Sequence, residues 1–440
     1  MKKTIVVNTL GCSKNRVDSE RVARQIETAG HVVLFDRELG ADLKADIIVI
    51  NTCGFIKDAK EESIEAIFAA VKAKKEGYVG EIVVFGCLSQ RYPNDLVKGI
   101  PEVDHFLGAN DLAAILKVMG IEPALNCFHE RTLSTPSHYA YLKISEGCNR
   151  SCAFCAIPMI RGPYMSTPQE QLLREAEYLA AQGVKELILV AQDTTFYGWD
   201  LCKQKMLASL IKQLVQIDGI QWIRLHYAYP ASFPEDVLEL MANHPKVCPY
   251  LDIPLQHIST KVLTAMNRGI DERQTRALIH QIRKKVPGVI LRTTLMVGFP
   301  GEDKRAFDQL LSFVAETRFE RLGVFTYSEE EETCAAKRYK DTVPKQVKQD
   351  RYATLMELQS GISFAYNQSR VGQHELVLID RVANGVLAGR SRSESPEVDG
   401  EIYVTTELPA KEMAYRVGSF QKIKICKADI YDLQGEIMNE

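Results

Sequence analysis

Residues 140–155 read AYLKISEGCNRSCAFC, an apolar β-prone run that breaks at Gly147 into a turn carrying Cys148, Cys152 and Cys155. Three thiols spaced CxxxCxxC cannot all pair with one another as disulfides, but they can chelate together. Thiolates are soft ligands that suit iron–sulfur clusters or zinc. Three protein ligands leave one iron of a 4Fe–4S cluster without a protein donor, and that iron can take a small molecule through an amine and a carboxylate. A structural zinc site is closed and would have to borrow a fourth ligand, such as a histidine. Phe154, between Cys152 and Cys155, is suited to shield such a site from water.

Outward from this turn, the chain alternates strand and helix. "AYLKISE", "ELILVAQD", "WIRLHYA", "YLDIPLQ", "VILRTTLMVGFP" and "LGVFTYS" read as strands, with amphipathic stretches such as "TPQEQLLREAEYLAAQG" and "DKRAFDQLLSFVAETR" between them. Six βα units in residues 134–368 predict a partial (βα)6 TIM-like barrel, whose chemistry sits at the C-terminal ends of the strands. The cysteine turn directly follows the first of them.

Residues 1–122 alternate in the same way, with "KTIVVNTL", "ADIIVINTC" and "EIVVFGC" as strands, and predict a parallel α/β domain. Three of these strands end on a cysteine beside a glycine: Cys12 with Gly11, Cys53 with Gly54, Cys87 with Gly86. In a parallel sheet such ends lie together at the edge where open α/β sheets hold ligands, and glycine lets the backbone crowd a bulky one. Residues 123–138 lack periodicity and hold two prolines, which reads as a linker. Residues 369–440 change texture to short strands punctuated by Gly, Asn and Pro, with no helical stretch between them, and predict a small antiparallel β-barrel. The other five cysteines, Cys127, Cys202, Cys248, Cys334 and Cys426, share no spacing and read as ordinary thiols.

Bulk properties exclude other classes. A chain of 440 residues suggests about three domains, and 46% hydrophobic with 25% charged residues is ordinary for a globular protein. No run of about eighteen apolar residues appears, so no membrane-spanning helix is expected. The start, "MKKTIVVNTLGCSK", reads as a buried first strand and not as a signal peptide, which implies a reducing cytoplasm where eleven cysteines are thiols or metal ligands. A net charge of −3 carries no whole-chain signature of nucleic-acid binding.

Over nearly its whole length the chain resembles the radical S-adenosylmethionine (radical SAM) methylthiotransferases. "LGCSKNRVDSE", "VINTCGFI" and "FGCL" are similar to that family's N-terminal cluster domain, "LKISEGCNRSCAFCAIP" to the radical SAM core, and the β-rich tail to a TRAM domain. The resemblance implies two 4Fe–4S clusters. The one on Cys148, Cys152 and Cys155 would bind SAM and cleave it reductively to a 5′-deoxyadenosyl radical. The one on Cys12, Cys53 and Cys87 would handle the inserted sulfur, and a second SAM would supply the methyl group. It also implies a reductant such as flavodoxin or ferredoxin, and a SAM pocket lined by Gln192, Asp193, Arg292 and Gly298. Arg292 could equally form an ion pair within the barrel, since a buried charge needs a partner. His257 reads as a packing histidine before a ribose contact. One departure stands out: Thr167 precedes Pro168 where the family usually has an Arg, and if that Arg aids cluster or SAM binding, another cation must substitute.

Two branches of the family differ in substrate. One modifies an adenosine in transfer RNA; the RimO-type branch methylthiolates the β-carbon of an aspartate in small-subunit ribosomal protein twelve. The run Pro-Glu-Val-Asp-Gly at residues 396–400 resembles the RimO-type tail. Residues 368–440 hold nine Lys or Arg against twelve Asp or Glu, whereas an RNA-gripping module would be basic. Four consecutive glutamates, Glu329 to Glu332, follow the last barrel strand and would favour a basic ribosomal protein over tRNA. A non-catalytic iron–sulfur electron carrier is the reading from another class, but it has no use for a six-unit barrel.

Overall fold

The computed structural model describes residues 2–124, 127–406 and 409–438; Leu125 and Asn126 of the expected linker, and Glu407 and Glu440 of the tail's acidic count, lie outside them. In the N-terminal domain β1 (Thr4–Thr9), β2 (Val32–Phe35), β3 (Ala45–Thr52), β4 (Val79–Gly86) and β5 (His105–Phe106) form one sheet in the order β2-β1-β3-β4-β5, every pair parallel. Side chains alternate between its faces, and both faces are covered. Val6, Ile48, Ile50 and Val84 pack against Ile67 and Val71 of the helix Lys57–Lys75. Ile5, Val7, Val49 and Phe85 pack against Val22 and Ile26 of α1 (Ser13–Thr28). Burial on both sides is why these strands read as unbroken apolar runs. Thr9 pairs level with Asn51, and Thr52 with Gly86. The loops carrying Cys12, Cys53 and Cys87 therefore leave the sheet side by side, two of them flanking the β1/β3 switch point.

The six central strands follow one another in chain order, all parallel, from Tyr139–Lys143 to Arg321–Thr326. The first and last do not pair, so the barrel is partial, as expected. Its outer face packs on helices in the largest core, through residues such as Leu142, Leu189, Leu225, Leu251 and Leu295. The alternate residues face inward and would be exposed in an open sheet. α1 covers the upper layer, its Val17 packing on Tyr139, Tyr141, Ile188 and Val190. The tail covers the lower layer, with Leu378 and Phe420 against Trp222, Tyr250 and Ile290. Between them the 396–400 run is a plug. Tyr141 and Tyr250 donate their hydroxyls to Glu397 (3.0 Å) and Asp399 (2.6 Å), Ser395 Oγ meets His226 Nε2 at 2.7 Å, and Arg16 of α1 reaches Glu397 at 3.3 Å. A motif legible as a family mark thus has a structural task inside the barrel.

The stretch read as a linker is packed. The Arg131 side chain is fully buried and pairs with Glu20 of α1 (3.1 Å) and Glu175 of the helix Gln169–Ala181 (3.0 Å), while His138 meets Asp380 of the tail at 2.8 Å. One irregular segment so ties together all three domains through charge, which hydrophobic periodicity cannot reveal. The tail closes into a five-stranded barrel, with two departures from expectation. A helix, Ala410–Arg416, interrupts it, and Ile402–Thr405 pairs with Leu433–Ile437 in parallel. The second follows from parity: an odd number of strands cannot close a ring with every pair antiparallel.

Candidate functional site

Each cysteine trio is built by backbone that tolerates no bulk. A Cβ on Gly11 would stand 2.6 Å from Cys53 Cβ, one on Gly54 2.8 Å from the Leu88 backbone, and one on Gly86 2.6 Å from the Thr52 carbonyl. These are the glycines beside Cys12, Cys53 and Cys87. Asn15 fastens two of the loops, donating to the carbonyls of Leu10 (2.9 Å) and Thr52 (3.2 Å). In the other trio, Gly147 sits at φ +71°, and a Cβ there would meet the Pro163 carbonyl at 2.0 Å. Cys155 N donates to Cys152 O (3.1 Å) and Cys148 N to Gly162 O (3.2 Å), folding the turn back on itself.

The two trios face one seam. Cys87 packs with Ala156 and Ile160, the residues just beyond Cys155. Arg161, 4% exposed, spans the gap. It donates to Cys87 Sγ at 3.3 Å and Asn15 Oδ1 at 2.6 Å, and it pairs with Asp18 at 2.9 Å and Glu146 at 3.2 Å. Arg268 serves the other trio, donating to Cys152 Sγ at 3.2 Å, with its guanidinium 4.4 Å from the Tyr229 ring centroid. Phe154 lies against an apolar cluster that includes Ala153, Phe299 and Tyr327, on the protein side of the turn.

Burial pushes the Cys53 and Cys155 thiols up to about 12 and Cys148 to about 11, and the neighbouring cysteines of each trio push the same way. Holding several thiolates together therefore needs a compensating cation, which a bound metal supplies. Among the described residues, no three His, Cys, Asp or Glu side chains form a group that would hold a single metal ion. Two sets of three thiols, each set in glycine-relieved backbone with a guanidinium on one sulfur, fit a larger iron–sulfur group.

The four residues expected around SAM separate into two groups. Gln192 and Asp193 adjoin the cysteine turn: Gln192 donates to Glu146 at 2.7 Å, and buried Asp193 pairs with Arg150 at 2.7 Å. Glu146 itself, although burial would raise its pKa, is held well below the usual carboxylate range by Lys143 and Arg161. Gly298, at φ +76°, precedes Phe299, which packs on Ala153, and a Cβ on it would meet Lys348 Cγ at 2.3 Å. Arg292 lies deeper, paired with Asp252 at 3.1 Å and reaching Asp399 at 3.6 Å. That is the ion-pair alternative. His257 is fully buried, accepts from Ser259 N at Nδ1 (3.0 Å), and is pushed down to about 3 by burial, so it packs as a neutral ring. Thr167 lines a crevice of about 230 Å³ together with Lys143, which pairs with Asp18 and Glu146, and Arg21, which pairs with Glu175.

The acidic loop differs from expectation. Glu330 is buried and pairs with Lys60 (2.9 Å) and Arg91 (2.7 Å) of the N-terminal domain, and Arg91 also donates to Glu331 O at 3.0 Å. Glu332 pairs with Lys337. Glu330 thus latches the loop to the N-terminal domain, while Glu329, Glu331 and Glu332 stay exposed. Glu330→Ala would strand the Arg91 guanidinium, whose side chain is 7% exposed, at a cost of about 3 kcal/mol. Chemical denaturation should register that loss, while exposed Glu329→Gln should leave stability within about 0.5 kcal/mol.

Sequence reasoning did not single out Arg161, Arg268, Arg150, Glu146 or Asp18. The signal available for the first two was a lone Arg closing an apolar run, in "IPMIRG" and "LTAMNRG".

A family model described as the radical SAM superfamily matches residues 142–314, one described as uncharacterized protein family UPF0004 matches residues 4–108, and a TRAM domain model matches residues 371–438. A curated relative from Cytophaga hutchinsonii, named ribosomal protein uS12 methylthiotransferase RimO, is 48% identical, covering 99% of this chain and 98% of its own. One of the same name from Bacteroides thetaiotaomicron is 47% identical, over 100% and 99%. Among solved structures, the radical S-adenosylmethionine methyltransferase TsrM from Kitasatospora setae, with cobalamin and a [4Fe-4S] cluster bound, aligns with a TM-score of 0.56 at 14% identity, over 88% of this chain and 81% of that one. At that identity the likeness concerns the fold. Among the described residues, no helix is long and apolar enough to cross a membrane.

Proposed function

Since this chain belongs to the family of ribosomal protein uS12 methylthiotransferases named RimO, we propose that it methylthiolates the β-carbon of an aspartate in that small-subunit protein. The observation that carries the reading is the meeting of two cysteine trios, from two domains, at one seam spanned by Arg161. Cys148, Cys152 and Cys155 would hold one 4Fe–4S cluster, and Cys12, Cys53 and Cys87 a second. The bound clusters and SAM supply the radical hydrogen abstraction, sulfur insertion and methylation that no side chain can perform.

The chain's own residues hold, orient and exclude water. Arg161 and Arg268 each donate to one cysteine sulfur, Cys87 and Cys152 respectively, a charge-assisted contact suited to a ligating sulfur. Asn15 and the glycines Gly11, Gly54 and Gly86 hold the N-terminal loops at close quarters. Gln192, Glu146, Arg150 and Asp193 form a continuous polar rim beside the turn, suited to the amine, carboxylate and ribose of SAM. α1 and the 396–400 plug close the concave face of the open barrel against solvent. The chain would work in the cytoplasm with a flavodoxin- or ferredoxin-like reductant.

Mass spectrometry of the uS12 aspartyl peptide, from cells with and without the protein, tests the reading. The methylthio mass increment should be present only with it. Its presence in both, with a methylthiolated tRNA adenosine lost in the deletion, would transfer the activity to tRNA.

A further inference from the structure

Lys14 is a buried cation whose nearest partner is not an anion. It is 8% exposed, and its Nζ makes no ion pair with any carboxylate among the described residues. It lies instead 3.3 Å from the centroid of the Tyr227 ring. A buried ammonium is costly unless paired; Tyr227, Cys12 and Asp252 all favour the Lys14 charge, but none of them is an ion-pair partner of its own. The other cations of the seam are already engaged. Arg150 pairs with Asp193, Arg161 and Lys143 with Asp18 and Glu146, and Arg292 with Asp252. Arg268 donates to Cys152 and the Pro254 carbonyl. Asp252, the acid within reach of Lys14, is spent on Arg292 and on the backbone N–H of Tyr227.

The ring beneath Lys14 is held at a cost. Tyr227 has φ +56°, a left-handed conformation uncommon for an aromatic residue. Its carbonyl accepts from Thr194 N at 3.1 Å, and its N–H donates to Asp252 at 3.2 Å. Strained backbone fixed by its surroundings gathers at ligand sites. The position fits one. Lys14 follows Cys12 by two residues, and Tyr227 lies two residues beyond the strand Trp222–Leu225, level with the Asp193–Thr194 rim. The ammonium therefore stands between the N-terminal trio and the mouth of the partial barrel.

We propose that Lys14 is the receptor for the side-chain carboxylate of the substrate aspartate. The inference rests on the reading above, in which the carbon that gains sulfur is directly bonded to that carboxylate. A cation beside Cys12 that is ion-paired with no side chain would orient the carboxylate and select aspartate over its neutral isostere, asparagine.

The test measures anaerobic binding, to the reconstituted enzyme, of a synthetic uS12 peptide carrying the target aspartate and of the same peptide with asparagine there. The wild type should favour the aspartyl peptide by about tenfold or more. Lys14→Met, matched in length and apolar, should bind both peptides alike, and Lys14→Arg should restore part of the preference. Lys14→Met keeps an unbranched apolar stem against the Tyr227 ring, so its iron content should be unchanged and its melting temperature close to that of the wild type. An undiminished aspartyl preference in Lys14→Met would overturn the assignment. So would a fall in melting temperature and iron content, which marks Lys14 as structural; Lys14→Gln measured the same way would have to reproduce it. A wild type that binds neither peptide and modifies tRNA would instead remove the uS12 reading, and this inference with it.

Discussion

Replacing Cys148, Cys152 and Cys155 together with alanine should remove about half of the iron bound after anaerobic reconstitution and abolish formation of 5′-deoxyadenosine from SAM. The expectation is total because no other donor set adjoins the Gln192–Glu146–Arg150–Asp193 rim: among the described residues the remaining cysteine trio lies across the seam, beyond Arg161. The turn itself should persist, since it is held by backbone bonds from Cys148 N to Gly162 and from Ala153 N to Met266, which alanine keeps. Iron analysis and quantitation of deoxyadenosine decide it. Continued deoxyadenosine formation by the triple variant would remove the barrel trio from the chemistry.

The complementary variant, with Cys12, Cys53 and Cys87 changed to alanine, should leave SAM cleavage detectable and reduce methylthiolation of uS12 to background. Radical formation needs only the barrel site, whereas the sulfur must come from the other. The variant should fold, because Arg161 gives up one sulfur contact and keeps Asp18, Asn15 and Glu146. Some loss of SAM cleavage rate is expected all the same, because Cys87 packs directly on Ala156 and Ile160 behind the barrel turn. Sulfur transfer at the wild-type rate would reduce the N-terminal trio to a structural role.

Much of this was legible in the chain before any coordinates. Cys148, Cys152 and Cys155 are close in sequence, so their spacing alone brings them into one turn. Cys12, Cys53 and Cys87 are distant, yet each ends an apolar β run beside a glycine, and parallel pairing puts such ends at one edge. The six strands of the barrel were legible for the same reason: burial imposes a period that local composition records.

What escaped is charge that acts across domains. Glu330 sits in a run of four acids that reads as favouring a basic partner, but it is a buried partner of Lys60 and Arg91, more than two hundred residues away. Arg131 stands in a stretch without periodicity, yet its side chain is wholly buried between Glu20 and Glu175. The 396–400 run could be matched to a family, but its place on the concave face of the barrel could not be inferred.

The strands, the glycine-relieved cysteines and the order of the three domains are written in the chain, because periodicity, turn chemistry and donor type are local properties. That the two trios share a seam, that Arg161 spans it, and that Lys14 has no ion pair of its own there follow from the packing of the domains. An ion pair needs nothing from its sequence neighbours; it depends on which residues burial brings within about 4 Å, and domain packing alone decides that.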